Sequence, residues 1–260
     1  LSDSVDTMVT RYFGGLYFSI EQAICIDAAL DYIHSKEVND SMRNSLLAAL
    51  LSATSEIVNT VGKQFAQPLK VLDKEGRPKR KLLKKILDDR AVSFWASLEE
   101  WIDAYSALDP SPFSSHEALC LDFHDALKQL QQSDVSVVYA DPPYTRYHYS
   151  RYYHVLETIC LRDVPTITPT FVGSTQLSRA IYREGRHQSP FCIRSKAEKA
   201  FNDLFAGVAE LKVPFVLSYS PFSESSLATP RLQTIEQLLN KARYHYEDVT
   251  IVSPGHFMHS

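Results

Sequence analysis

Val135-Ser136-Val137-Val138-Tyr139-Ala140 runs directly into Asp141-Pro142-Pro143-Tyr144. The first six residues are β-branched and nearly continuously apolar, the texture of a strand buried on both faces of a parallel sheet. Ligands of open parallel sheets gather at the carboxyl ends of strands. The tetrapeptide therefore falls where chemistry is expected. Two adjacent prolines lack N–H donors and hold the backbone extended, so their carbonyls have fixed directions. A carboxylate beside a rigid carbonyl makes two convergent acceptors, which suit a planar NH2 group, and Tyr144 suits stacking on a flat base. Accepting both hydrogens favours a pyramidal nitrogen whose lone pair points outward. A methyl sulfonium is the natural electrophile, and positioning then supplies much of the rate. The competing reading is a plain strand ended by a Pro-Pro turn, with Asp141 capping the next helix.

Outward from this stretch, the second half alternates between strand and helix patterns. Residues 118–123 form a short apolar segment and 125–132 read as a helix. After the motif, helices are expected over 152–161, 195–211 and 230–243, with strands over 213–219 and 244–252. That order implies a parallel α/β sheet. Residues 163–190, rich in Pro, Thr, Gly and Arg, read as a long surface excursion. The first half is helical. Ser19 caps a helix to about residue 35. A second helix starts at Asp40 or Ser41 and runs to about Thr60, where Gly62 ends it. A third spans 92–106. Between them, 63–90 carry Pro68, Gly76 and Pro78 and read as a loop or hairpin-like excursion. Two regions follow: a helical and basic one over 1–112, and a sheet-bearing one over 113–260.

The 260 residues are 45% hydrophobic and 22% charged, which excludes wholesale disorder. The longest apolar run, 46–51, is too short to span a bilayer, so no membrane association is expected. Cys25, Cys120, Cys160 and Cys192 stand far apart without a CxxC pair. They fit a reducing cytoplasm better than a disulfide framework or a zinc ribbon, and no secretory signal opens the chain. His148, His154, His187 and His245 show no metal-ligand spacing, and neither GxSxG nor HExxH occurs. The net charge is −4, yet ten basic and four acidic residues fall within 63–90, making that segment +6 and the remainder −10. Lys63, Lys79, Arg80, Lys81 and Lys84 belong to this patch. It reads either as a contact for a polyanion or as a solvated lysine-rich surface.

The sequence resembles the adenine-N6 DNA methyltransferases, whose amine-methylating motif is DPPY. The likeness extends through Tyr147, Tyr149, Tyr152, Tyr153, His154 and on to Ile159. Tyr17-Phe18-Ser19, Asn59-Thr60 with Gly62, Ser189-Pro190-Phe191 and Leu217-Ser218-Tyr219 follow in the order of one subgroup. The resemblance implies an incomplete Rossmann-like sheet with an inserted, mostly helical target-recognition region. It implies S-adenosyl-L-methionine as methyl donor and double-stranded DNA as partner. Asp141 and the Pro142 carbonyl would then accept the N6 hydrogens, with Pro143 fixing the turn and Tyr144 stacking on a flipped adenine. Asp125 sits where the family places a polar residue near the cofactor, alongside Asp141; otherwise it is a simple cap for helix 126–132. Arg146 and Tyr149 suit a flipped nucleotide and its phosphates, as do Arg151 and, in a second group, Arg179, Arg183, Arg186 and His187. Tyr152 and Tyr153 are better explained as packing a helix onto the sheet.

One departure stands out. The family binds its cofactor on an FxGxG-type loop, and no such sequence occurs here. Phe13-Gly14-Gly15-Leu16-Tyr17 holds the nearest glycine pair, after no apolar strand. On this reading the chain starts after the first cofactor strand and stops before a last one, so that a preceding segment or a partner chain completes the site. Two other functions stay open: a non-catalytic DNA-recognition subunit of a restriction or defence complex, and an RNA amine methyltransferase. Asp at the first motif position favours adenine over the Asn of glutamine and many RNA enzymes, and over the Ser of cytosine-N4 enzymes.

Overall fold

The structure is a computed structural model, and it describes residues 7–108, 116–169, 171–172, 175–176, 180–220 and 232–252. In chain order it contains α1 (Met8–Phe13), α2 (Ile20–Ile33), α3 (Asp40–Ile57), α4 (Arg80–Ala91), α5 (Phe94–Ser106) and α6 (Phe123–Leu130). Then come β1 (Val138–Ala140), α7 (Tyr149–Tyr152), α8 (His154–Leu161), β2 (Phe171–Val172) and β3 (Thr175–Gln176). α9 (Arg194–Glu210), β4 (Phe215–Leu217) and α10 (Ile235–His245) complete the series. The chain divides into two compact units, Leu1–Ser114 with Ser150–His187, and Ser115–Tyr149 with Gln188–Ser260. The sequence reading put 150–187 in the sheet-bearing region; by contact they cluster with the helical unit.

The helical unit is built around aromatic residues of the first turns. Phe13, Tyr17 and Phe18 are buried against Ile26 and Leu30 of α2, Leu50 and Ile57 of α3, and Val155 and Ile159 of α8. Ser19 and Gln22 form a reciprocal capping box at the start of α2. The Gln22 amide also donates to the carbonyls of Asp89 and Val92, 3.0 Å each, tying down the end of α4. The buried Asp27 carboxylate accepts the amides of Val9 and Thr10, both at 2.8 Å, so α2 caps α1 from outside. Gly14 ends α1; a Cβ there would meet the Thr10 carbonyl oxygen at 2.5 Å. The glycine pair at 14–15 is thus a packing turn.

Two boundaries differ from expectation. α3 stops at Ile57 rather than near Thr60, because the backbone and side-chain amides of Asn59 both donate to the Tyr17 carbonyl. That holds Val58 and Asn59 out of the helix. The basic segment is an excursion only to Lys79, with Leu72 and Pro78 paired across a turn through Gly76. From Arg80 it is helix α4, with Ile86 buried. All its prolines and glycines precede residue 79, and a proline just before a helix is compatible with its start.

In the other unit, β1 and β4 pair in parallel, with Val138 opposite Phe215 and Ala140 opposite Leu217. Val138, Ala140, Phe215 and Leu217 pack on a cluster of Leu127 from α6, Phe201, Phe205 and Val208 from α9, and Leu238 from α10. Gly207 lets α6 approach α9, since a Cβ there would meet the Leu127 Cδ1 at 2.9 Å. The strand was expected to be buried on both faces. Instead it alternates: Tyr139 is 65% exposed and Val216 50%. Among the described residues the α/β architecture is mostly helical, with one two-stranded parallel sheet and one short antiparallel pair, β2–β3. The strand expected over 244–252 is not formed, and the apolar segment 118–123 carries no strand. Residues 246–252 follow α10 without regular structure, and Ile251 and Val252 are exposed. Strand propensity without a neighbour to pair with does not make a strand.

Candidate active site

Parallel pairing brings the carboxyl ends of β1 and β4 to one rim. The Ser218 amide donates to the Ala140 carbonyl, 2.9 Å, so the ladder closes one residue before Asp141. Asp141 is exposed, and no described residue forms an ion pair or hydrogen bond with its carboxylate. Pro142 is buried and Pro143 partly so. The rim thus presents an open carboxylate on a backbone anchored by the next residue. Asp141 does not cap a helix, since the following helix begins only at Tyr149.

Tyr144 stands at the same rim. Its ring meets Tyr219, the second residue after β4, edge to face at 5.5 Å. The Tyr144 carbonyl accepts the Leu232 amide at 3.4 Å. Tyr219 is fixed in turn, because its hydroxyl donates to the Gln233 carbonyl at 2.5 Å and its ring meets Phe201 at 6.0 Å. Nothing local to Tyr219 ties it to the motif; pairing of β4 with β1 is what carries it there. The Gln233 Oε1, on the segment leading into α10, is buried and has no hydrogen-bond partner among the described residues. No local signal at Gln233 pointed to the rim, since it arrives there by tertiary packing.

Other candidates are placed as follows. Asp125 lies in the first turn of α6, exposed and paired with Lys128 at 3.2 Å. It is not the cap, because Asp122 fills that place and accepts the His124 amide at 3.0 Å. Burial pulls the His124 pKa down, but hydrogen bonds to Asp122 and Asp203 outweigh it and hold the imidazole above its ordinary value. Arg146 is exposed, its guanidinium 5.7 Å from the Tyr147 ring, and Tyr149 is exposed at the start of α7. In the helical unit, Lys79, Arg80, Lys81 and Lys84 crowd the beginning of α4, exposed and without an ion pair to any described residue. Lys63 is separate from them. Its ammonium donates to the Glu56 carbonyl at 2.5 Å and to Asp89 at 3.0 Å, so the fold already uses it. Cations at a helix start oppose the helix dipole at about 0.3–1 kcal/mol each. No acid in the first turn of α4 offsets this. Arg179 lies outside the described residues.

A sulfonium nucleoside needs a close backbone approach, normally through glycine. The described glycine of the sheet-bearing unit is Gly207, inside α9 and packed on Leu127. The described residues therefore fit the amine-accepting side of a methyl transfer and do not form a cradle for its donor. They contain no cluster of side chains suited to a metal ion, and no helix among them is long and apolar enough to cross a membrane. No curated protein and no solved structure matches the chain. Residues 106–172, about a quarter of the chain and inclusive of Asp141 to Tyr144, match the family described as D12 class N6 adenine-specific DNA methyltransferase.

Proposed function

We propose that this chain acts in the transfer of a methyl group to N6 of an adenine in double-stranded DNA. The observation that supports this most is the rim of β1 and β4, where an exposed Asp141 carboxylate, unpaired among the described residues, adjoins the buried Pro142 and Tyr144 is braced by Tyr219. In this reading the adenine leaves the base stack, as chemistry on a duplex base requires. Its amine donates one hydrogen to the Asp141 carboxylate and one to the Pro142 carbonyl, and Tyr144 stacks on the ring. The nitrogen lone pair is thereby turned away from the purine and made nucleophilic, and its surplus proton leaves through Asp141. S-adenosylmethionine, the donor implied by the family, would supply an electrophilic methyl, and the described residues form no cradle for it. The exposed cations Lys79, Arg80, Lys81 and Lys84, with Arg146 and Tyr149, contact the DNA.

The test is incubation of plasmid DNA with the protein and labelled S-adenosylmethionine, followed by mass spectrometry of the nucleosides. N6-methyladenine is the expected product. Asp141→Ala should lower incorporation on the order of 100-fold or more, as loss of one charge-stabilising partner does in other active sites, while DNA binding persists. Full incorporation by Asp141→Ala would overturn the role given to this carboxylate.

A further inference from the structure

Within the helical unit, two guanidiniums lie over one aromatic ring. The Arg186 Cζ is 5.1 Å from the Tyr182 ring centroid and the Arg151 Cζ 6.0 Å. Two other segments fix that residue. The Tyr182 hydroxyl donates to the Ala66 carbonyl. The ring meets the buried His154 imidazole edge to face at 4.9 Å, and His154 Nε2 is 2.8 Å from the Ala180 carbonyl. The stack is therefore held in place before any ligand arrives.

Its charge is not balanced. Arg183, close in sequence, forks onto Asp163 through contacts of 3.1 and 2.6 Å, and Arg162 pairs with Asp31 at 2.8 Å. Among the described residues no carboxylate pairs with Arg151 or Arg186. Arg186 Nε and Nη1 and Arg151 Nε are buried without a hydrogen-bond partner among the described residues, as is the hydroxyl of Ser150. Burial, then repulsion from Arg151, pushes the Arg186 guanidinium below its ordinary pKa. Contact with the ring returns less per cation than buried unpaired donors cost. Two like charges brought together with donors unused call for an oxyanion.

We propose that Arg151, Tyr182 and Arg186 form an oxyanion site that takes a backbone phosphodiester of the bound nucleic acid. This rests on the DNA reading above. A phosphodiester is favoured by what surrounds the stack in its own unit. The loop that supplies the Ala66 carbonyl also lines a cleft of about 340 Å³ with Lys70 and Lys79. The exposed cations at the start of α4 follow directly. The site joins two arginines, 35 positions apart in sequence, that the sequence assigned to separate groups.

The experiment compares the full chain with an Arg151→Gln/Arg186→Gln pair for binding to a short mixed-sequence duplex over a range of salt. Inorganic phosphate is titrated in parallel by phosphorus NMR. The Gln pair should weaken duplex binding and reduce the slope of log K against log salt by about 1 to 2. An Arg151→Lys/Arg186→Lys pair, which keeps both charges, should keep the slope; a matching loss there would overturn the proposal. Thermal melting of the Gln pair should be no lower than wild type, since it removes an unbalanced repulsion. Wild-type DNA binding with an unchanged slope in the Gln pair would overturn the site and leave the methyl-transfer reading standing. Phosphate bound by wild type and not by the Gln pair, with no DNA bound by either, would overturn both the phosphodiester assignment and the DNA reading in favour of a free-phosphate site.

Discussion

His154 shows how one residue can be legible as structure and still carry a measurable consequence. It is fully buried, and burial, with Arg186 and Arg183 nearby, lowers its pKa to about 4 against hydrogen bonds that favour the charged form. The unfolded chain binds a proton there at about 6.5. Stability from this group is complete above pH 6.5 and is lost as pH falls towards 4, by roughly 3 kcal/mol. Denaturant unfolding at a series of pH values should show that decline, and His154→Gln should flatten it. The sequence offered His154 as structural rather than metal-binding because it lacked ligand spacing. Its partners, the carbonyls of Ala180 and Arg151, could not be read, because one of them comes from a segment 26 positions away. The place of Asp141 just after a strand was legible for the opposite reason: the strand pattern and the two prolines that follow are local in sequence.

At the scale of the element, α4 sets folding against charge. Its first turn holds Arg80 and Lys81 with no acid and no side-chain cap. Replacing Lys79, Arg80 and Lys81 with glutamate should act in two directions. It should stabilise the helix by about 1 kcal/mol or more, since acids suit a helix start. It should also reduce the salt dependence of DNA binding by about 3 in log–log slope. Unfolding curves and salt titrations on the same variant separate the two; an unchanged binding slope would remove this patch from the interface. The helix itself was hidden in the sequence by its neighbours. Pro68, Gly76 and Pro78 gave the whole segment a loop-like texture, although the apolar spacing of Leu82, Leu83, Ile86 and Leu87 is helical. By contrast, α2, α5 and α9 lie close to their expected spans, because caps or strong periodicity mark them.

For the whole molecule, the order of helices and strands around the motif gave the α/β class, and the parallel pairing of β1 with β4 put Tyr219 beside Tyr144. Less was legible in the extent of the sheet. The apolar stretches near 118–123 and over 244–252 have strand-like composition, but composition records only that a residue suits a pleated surface. The division into units was also hidden: the chain leaves the sheet-bearing unit after Tyr149 and returns at Gln188 without a break in texture. The alternation along β1 and β4 has a practical result. Val137, Tyr139 and Val216 leave greasy ground beside a strand whose outer edge has no neighbour among the described residues. Concentrated samples should stick to one another through that border, and Tyr139→Lys, planting a gatekeeper cation there, should keep them monodisperse in light scattering.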